Sequence, residues 1–468
     1  MSAAPALPLP TGSSRPQLEG PPYRTIIKLA IPTVIAMMSQ AIVNAVDSVF
    51  FAHLPTPQES NAAQAALMPS LILLWMFGGS LSAMGIGTQA LAARRFVEGR
   101  NDAAGAVLAN CAAFIVGAGT LLTIVALLIL PWLASKQHDS PEVQRAIVDY
   151  GTWRMWGIAS MALTMGIKGF FDGLGRTWIH FVSSVAMNIF NLLFCYMFIF
   201  GKFGAPEMGA AGAGLAALLA TWIGLIVMVV YVWIDRGVFK FFHWAHLSWK
   251  GISEILRLSV PAAIATVLMM FGFQLFLGIV ASLDGDHTSV NGAASSNIIS
   301  MLKLTFTACL AFGTATATLV SQSIGAGRHD LATRFGSASI KLGLILFGVV
   351  GIGEGILFTR PIVELWTLDP AVQEAMMIPM RVMGLATPVI AVVMIMTEAL
   401  FGAGTPKFVA IAQFSLVFGV LLPAAYLFAI PFGWGLIGIW SAAALYMAVG
   451  ATVMSIQFLR GGWKSVQI

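Results

Sequence analysis

The chain has 468 residues, 58% of them hydrophobic and only 10% charged, with a formal net charge of +5. An average soluble protein carries about 25% charged residues, so this composition excludes a soluble globular domain and points to a polytopic membrane protein. There is no Walker sequence, no GxSxG elbow and no paired His or Cys ligand set, which leaves an ATP-driven pump or an intramembrane hydrolase without support.

Six prolines between Pro5 and Pro22 predict a disordered cytoplasmic tail over residues 1–22, not a cleaved signal, because no charged segment leads at once into an apolar core. Apolar stretches long enough to cross a hydrocarbon core of about 30 Å then recur along the chain. Twelve are predicted, over residues 26–53, 63–92, 103–133, 146–168, 178–200, 209–234, 255–283, 293–324, 335–359, 377–401, 408–430 and 436–459. All are read as helices, since a lipid-exposed backbone must satisfy its own hydrogen bonds. The expected fold is therefore an all-α polytopic membrane protein. Its three cysteines, Cys111, Cys195 and Cys309, lie inside apolar spans without metal or redox spacing, so no disulfide is expected.

The first span contains an acid, Asp47. A carboxylate at a membrane-helix centre costs about 2.5–3.5 kcal/mol on insertion scales, which makes it a functional-site candidate. Gln40, Asn44 and Asp47 follow i, i+4, i+7 spacing and fall within about 60° of one another, forming a polar stripe that needs a polar neighbour. Helix 5 offers one. Ser184, Asn188, Asn191 and Cys195 fall on a second stripe of similar width, and the two together would shield Asp47. Lys168 and Asp172, four residues apart after the fourth span, read as an interfacial ion pair. Arg154, Glu354 and Arg381 lie toward outer helix ends, where snorkelling accounts for them. The polar segment from Asp235 to Arg257, with His243 and His246 beside Trp244, reads as a surface linker, and the predicted domains are 23–234, a linker 235–254 and 255–468. Farther on, Lys303, Gln274 and Glu398 are secondary candidates for the site.

The halves repeat. Leu29-Ala-Ile-Pro32 recurs as Leu258-Ser-Val-Pro261 at an offset of 229, and Gly99-Arg100 as Gly327-Arg328 at 228. Gly173-Leu-Gly175 recurs as Gly402-Ala-Gly404. Six helices per half is an even number, so the halves are parallel repeats about an axis along the membrane normal, with substrate expected between them. Pro32 and Pro261 lack a backbone donor and are the predicted flexible points. Of the 25 Lys and Arg residues, 18 fall in or beside segments that are cytoplasmic if the N-terminus is, so both termini are placed in the cytoplasm of a multi-pass cell-membrane protein.

The ordered set of Pro32, Asp47, Gly173-Leu-Gly175-Arg-Thr177, Asn191, Gly209-Ala-Ala-Gly212 and Gln322-Ser-Ile-Gly-Ala-Gly327-Arg328 resembles the multidrug and toxic compound extrusion (MATE) family, closest in pattern to its DinF-like prokaryotic branch. The resemblance covers about residues 24–460. It implies two six-helix bundles around a V-shaped cavity and antiport of amphipathic, often cationic organic compounds against H+ or Na+, with no cofactor and no nucleic-acid partner. A monomer is expected. The family's Asn-x-x-x-Asp pair on helix 5 is matched by Asn191, but Cys195 replaces the acid, and the repeat counterparts of Asp47 and Asn191 are Phe276 and Val420. Coupling is therefore expected at Asp47, where burial disfavours the charged form and amide donors favour it, and where Na+ is an alternative to the proton. Two other readings are a lipid-linked saccharide flippase of the same superfamily and a non-transporting receptor or scaffold. The flippase would need several cations for its pyrophosphate, and only Lys303 lies well inside a span.

Overall fold

The protein, as a computed structural model, is described over residues 17–52, 54, 56–137, 140–241, 243, 246–284, 290–367 and 369–465. The side chains of residues 40–49, 52, 57–58, 61–62, 64–65, 68–69, 72, 137, 270 and 465 lie outside that description. Every regular element among the described residues is helical. In chain order the rods are α1 (Pro22–Ala52), α2 (Pro57–Leu74, continued through a π-turn at Trp75–Gly79 to Met84–Val97) and α3 (Asn101–Gln137). They continue with α4 (Pro141–Trp156 and Ile158–Gly173), α5 (Trp178–Phe200) and α6 (Gly209–Ile234). The second set is α7 (Trp249–Ala281), α8 (Val290–Gly325), α9 (His329–Ile352, a π-turn Gly353–Leu357, then Thr359–Trp366) and α10 (Pro370–Gly402). The last two are α11 (Pro406–Leu416, through Val417–Leu421 to Leu422–Ala429) and α12 (Gly435–Arg460). Twelve rods among the described residues match the twelve predicted spans, and nine qualify as membrane-crossing by length and apolarity alone. Proline starts five of them, at Pro22, Pro57, Pro141, Pro370 and Pro406. There its missing N–H would be unpaired in any case and its fixed φ is already helical.

The rods are inverted relative to a soluble bundle. Large apolar side chains such as Leu128, Ile345 and Val349 are exposed, whereas α8 buries an unbroken run of mostly small and hydroxylated residues from Ala311 to Ser323. In lipid the outside is as apolar as leucine, so helices associate through close packing of small residues and inter-helical hydrogen bonds. The chain divides into two compact units, residues 31–259 and residues 17–30 with 260 onward. The division falls beside the prolines. α1 and α7 run unbroken through Pro32 and Pro261, yet each passes from one unit to the other within two residues of its proline.

The repeat extends to individual contacts. A Cβ on Gly173 would lie 2.7 Å from the carbonyl oxygen of Gln89, and one on Gly402 2.4 Å from that of Ala317, the residue 228 positions after Gln89. The turns before α3 and α9 both rest on a left-handed glycine, Gly99 at φ 76° and Gly327 at φ 70°, where a Cβ would be strained.

The segment after α6, read as a surface linker, is mostly exposed but is anchored on the first unit by a few residues. Phe239 and Phe241 are buried against Phe170 at centroid distances of 5.3 Å. Asn110 of α3 donates to His246 O at 2.7 Å and accepts from Ser248 N at 2.9 Å. Arg176 pairs with Asp235 and Arg95 with Glu254, each at 2.5 Å. Hydropathy cannot see this, because the polar groups that flank the phenylalanines are paired within the protein. Phe239→Ala should destabilise the first unit by about 3–5 kcal/mol, the usual cost of removing a buried phenylalanine. Thermal unfolding in lipid nanodiscs measures it, and an unchanged midpoint would mean the segment is loosely held.

Candidate functional site

α5 presents its polar residues to the interior of the first unit. Ser184, Asn188, Asn191 and Cys195 are all buried, while Ile189, Leu192, Leu193 and Tyr196 on the opposite side are exposed. Spacing at helical period puts the four on one face, and lipid on the other side sends that face inward. Ser183 ties α5 to α6 by donating to Gly224 O at 2.8 Å. Asn188 Nδ2 donates to Ser39 Oγ of α1 at 2.7 Å, and Ser39 in turn donates to Ala36 O at 2.8 Å. Cys195 Sγ lies 3.9 Å from Asn191 Oδ1. Asn188 Oδ1 is buried with no hydrogen bond among the described residues, so it is an acceptor available to a donor or a cation.

Of the α1 candidates, the side chains of Gln40, Asn44 and Asp47 lie outside the described residues. Their helix is described, and two contacts fix its register on α5. Ser39 meets Asn188, and Phe50 meets Phe200 with ring centroids 5.8 Å apart. The partners advance together, so α1 and α5 run parallel, and the helical rung of Asp47 falls between these contacts, at the level of Cys195. The position that resembles the family's second acid is thus a buried thiol at the same height as Asp47. Cysteine is a weak donor here, with no carboxylate to share a proton.

Sequence reasoning missed Ser39 and His180. Ser39 is one residue before Gln40 and 100° around the helix from it, outside the stripe drawn through the longer polar side chains. His180 precedes Ser184 by one turn and extends the α5 stripe inward, with Nε2 3.3 Å from Ser184 Oγ. The Lys168–Asp172 pair expected from its spacing forms. It closes at 2.6 Å with the Asp172 side chain 0% exposed, so it is a packed pair inside the first unit. Sequence spacing gave the pair but not the helix-on-helix packing that covers it.

Among the described residues the second unit holds no copy of this face. Phe276, the counterpart of Asp47, is buried, stacks on Phe273 and meets Trp440 edge-on at 5.7 Å. Lys303 and Gln274 are exposed on their helices, and the Glu398 side chain packs where a Cβ on Gly313 would lie, 2.7 Å from Glu398 Cγ. No group of three His, Cys, Asp or Glu that could hold a metal occurs among the described residues.

Comparison with known proteins places the same duplication on a family description. The family model MatE matches twice, over residues 32–197 and 261–427. A probable multidrug resistance protein NorM of Thermotoga maritima is 25% identical over 454 residues, covering 96% of this chain and 95% of the relative. Among solved structures, an outward-facing multidrug resistance MATE family transporter of the MOP superfamily superposes with a TM-score of 0.87 at 18% identity, covering 97% and 99% of the two chains. A MOP superfamily transporter from Pyrococcus furiosus, whose reverse pocket polarity was taken to suggest a different function, gives 0.86 at 20% identity over 96% and 98%.

Proposed function

Since the chain belongs to the MatE family, we propose that it is a secondary multidrug efflux transporter, exporting amphipathic and often cationic organic compounds in exchange for H+ or Na+. It is a multi-pass membrane protein and not an enzyme. The observation that carries the coupling part of this reading is the buried polar face of α5, bonded to α1 through Asn188 and Ser39, with Asp47 about two turns farther along α1. Among the described residues that face occurs in the first unit, and the second has the Phe273, Phe276 and Trp440 cluster in its place.

In this reading Asp47 is charged when no ion is bound, and the buried polar face of α5, with the amides of Asn188 and Asn191, is what makes that charge tolerable in the first unit. A proton or Na+ entering from outside cancels the charge. The polar face then has less to gain from remaining hydrated, and the unit relaxes about Pro32, whose missing N–H leaves a weak point in the α1 ladder. Drug binding and ion binding favour different conformations, which is what a ligand must do to shift an equilibrium. Both termini are placed on the cytoplasmic side by the distribution of Lys and Arg.

Purified protein in liposomes, loaded with a fluorescent cationic dye and given a proton gradient or a sodium gradient separately, tests the reading. Efflux that responds to one gradient supports antiport and names the ion. Efflux that ignores both overturns it, and binding of a polyprenyl pyrophosphate in preference to dyes would favour the flippase reading.

A further inference from the structure

The second unit carries an intramembrane acid that this coupling scheme does not use. Glu354 is the second residue of the π-turn Gly353–Leu357 in α9. Its Oε1 accepts a hydrogen bond of 3.0 Å from Thr305 Oγ1 of α8, a buried residue. Thr305 is 15 residues from the start of α8 and 20 from its end, or about 22 Å and 30 Å at 1.5 Å per residue. Glu354 itself lies near the end of the span His329–Leu357, in keeping with the sequence reading, and turns there toward a buried partner.

The backbone around it explains the placement. Gly351 and Gly355 of α9 approach α10 so closely that a Cβ on Gly384 would lie 2.4 Å from Gly355 Cα. The π-turn inserts the extra residue that lets α9 keep this contact while turning Glu354 toward α8; such turns recur at functional sites. The turn closes with Phe358 N to Gly353 O at 2.8 Å, and Thr359 Oγ1 donates to the carbonyl of Glu354 itself at 2.8 Å. Among the described residues no cation answers the carboxylate. Lys303 lies on the exposed side of α8, Arg381 is exposed on α10, and Arg360 on the continuation of α9 pairs with Glu364 at 2.8 Å. The ionisable group facing it from α8 is the buried thiol of Cys309. A half-buried carboxylate within a span, with a hydrogen-bond donor and no protein cation beside it, is a candidate for taking up a proton or a metal cation.

We propose that Glu354, with Thr305, is a second binding site for the monovalent coupling cation, H+ or Na+, in the C-terminal unit. Its repeat counterpart in the first unit is Val125, just as that of Asp47 is Phe276, so neither acid is repeated in the other unit. The proposal rests on the antiport reading, but not on Asp47.

The test is infrared difference spectroscopy of the full chain in nanodiscs, with one arm a pH jump at fixed Na+ and the other Na+ addition at fixed pH. Wild type should show a protonated-carboxyl component that is lost in Glu354→Gln and retained in Asp47→Asn. Thr305 donates to the charged form, so Thr305→Val should tighten proton binding about tenfold, one pH unit in midpoint. Response in the pH arm alone identifies the proton, and a component displaced by Na+ identifies sodium competing at the same oxygen. In liposomes, Glu354→Gln should lower gradient-driven efflux about tenfold or more. Should that variant not fold, Glu354→Asp and Thr305→Val carry the same readouts. Spectra and efflux of Glu354→Gln identical to wild type in both arms would overturn the proposal. Normal efflux by Asp47→Asn with the Glu354→Gln defect present would sink the Asp47 site and leave this one standing.

Discussion

Asp47→Asn should reduce ion-driven efflux to the leak of protein-free liposomes while leaving dye binding within about threefold of wild type. Asparagine keeps the size and hydrogen-bonding shape of the carboxyl but cannot change charge, so the ion no longer distinguishes two states of the protein. A ligand that inverts a 1:99 equilibrium must favour one state by about 5.5 kcal/mol, and the effective cost of holding one ionised acid away from bulk water, several kcal/mol, is of that order. Asp47→Glu retains the titration with one extra methylene and should retain a reduced, measurable rate. The comparison separates the chemistry from the space. Wild-type efflux by Asp47→Asn under an imposed gradient would remove Asp47 from the mechanism, whatever its conservative variant did.

Gly402→Ala and Gly173→Ala should each destabilise the protein by about 2–4 kcal/mol, through overpacking of a helix contact that has no slack. At both positions the new Cβ would meet a backbone carbonyl oxygen, 2.4 Å away at Gly402 and 2.7 Å at Gly173, and backbone cannot rotate aside as a side chain can. The tighter contact should cost more. Gly348→Ala in α9 serves as control, since nothing lies within 4 Å of its Cβ position; the better helix propensity of alanine should make it neutral or stabilising by up to about 1 kcal/mol. Thermal unfolding of the three variants in one lipid composition checks the order. Equal midpoints for Gly402→Ala and Gly348→Ala would mean that α8 and α10 are farther apart than described.

Most of the fold was legible because the membrane makes the pattern coarse: a span must be apolar, about 20 residues long and helical. Errors fall at the ends. α7 begins at Trp249 and α10 at Pro370, several residues before the predicted 255 and 377, because those first turns are polar and hydropathy stops where polarity starts. Capping chemistry carried the missing signal at α10, where the Asp369 side chain accepts from Ala371 N at 2.9 Å ahead of Pro370. The duplication was legible in Pro32 and Pro261, and the matched contacts of Gly173 and Gly402 are its physical expression.

The sequence by itself determined the helical polytopic class, the repeat, the polar faces of α1 and α5, and the absence of a second acid at Cys195 and Phe276. These follow from residue type and helical period, which are local. Only the tertiary structure decided that Ser39 bonds Asn188, that Lys168 and Asp172 are covered, that Phe239 anchors the segment after α6, and that Glu354 turns toward Thr305. Each depends on which neighbouring helix supplies the partner and at what height. A π-turn that inserts one residue, or a glycine that lets two backbones touch, changes that answer without changing the hydropathy of either helix.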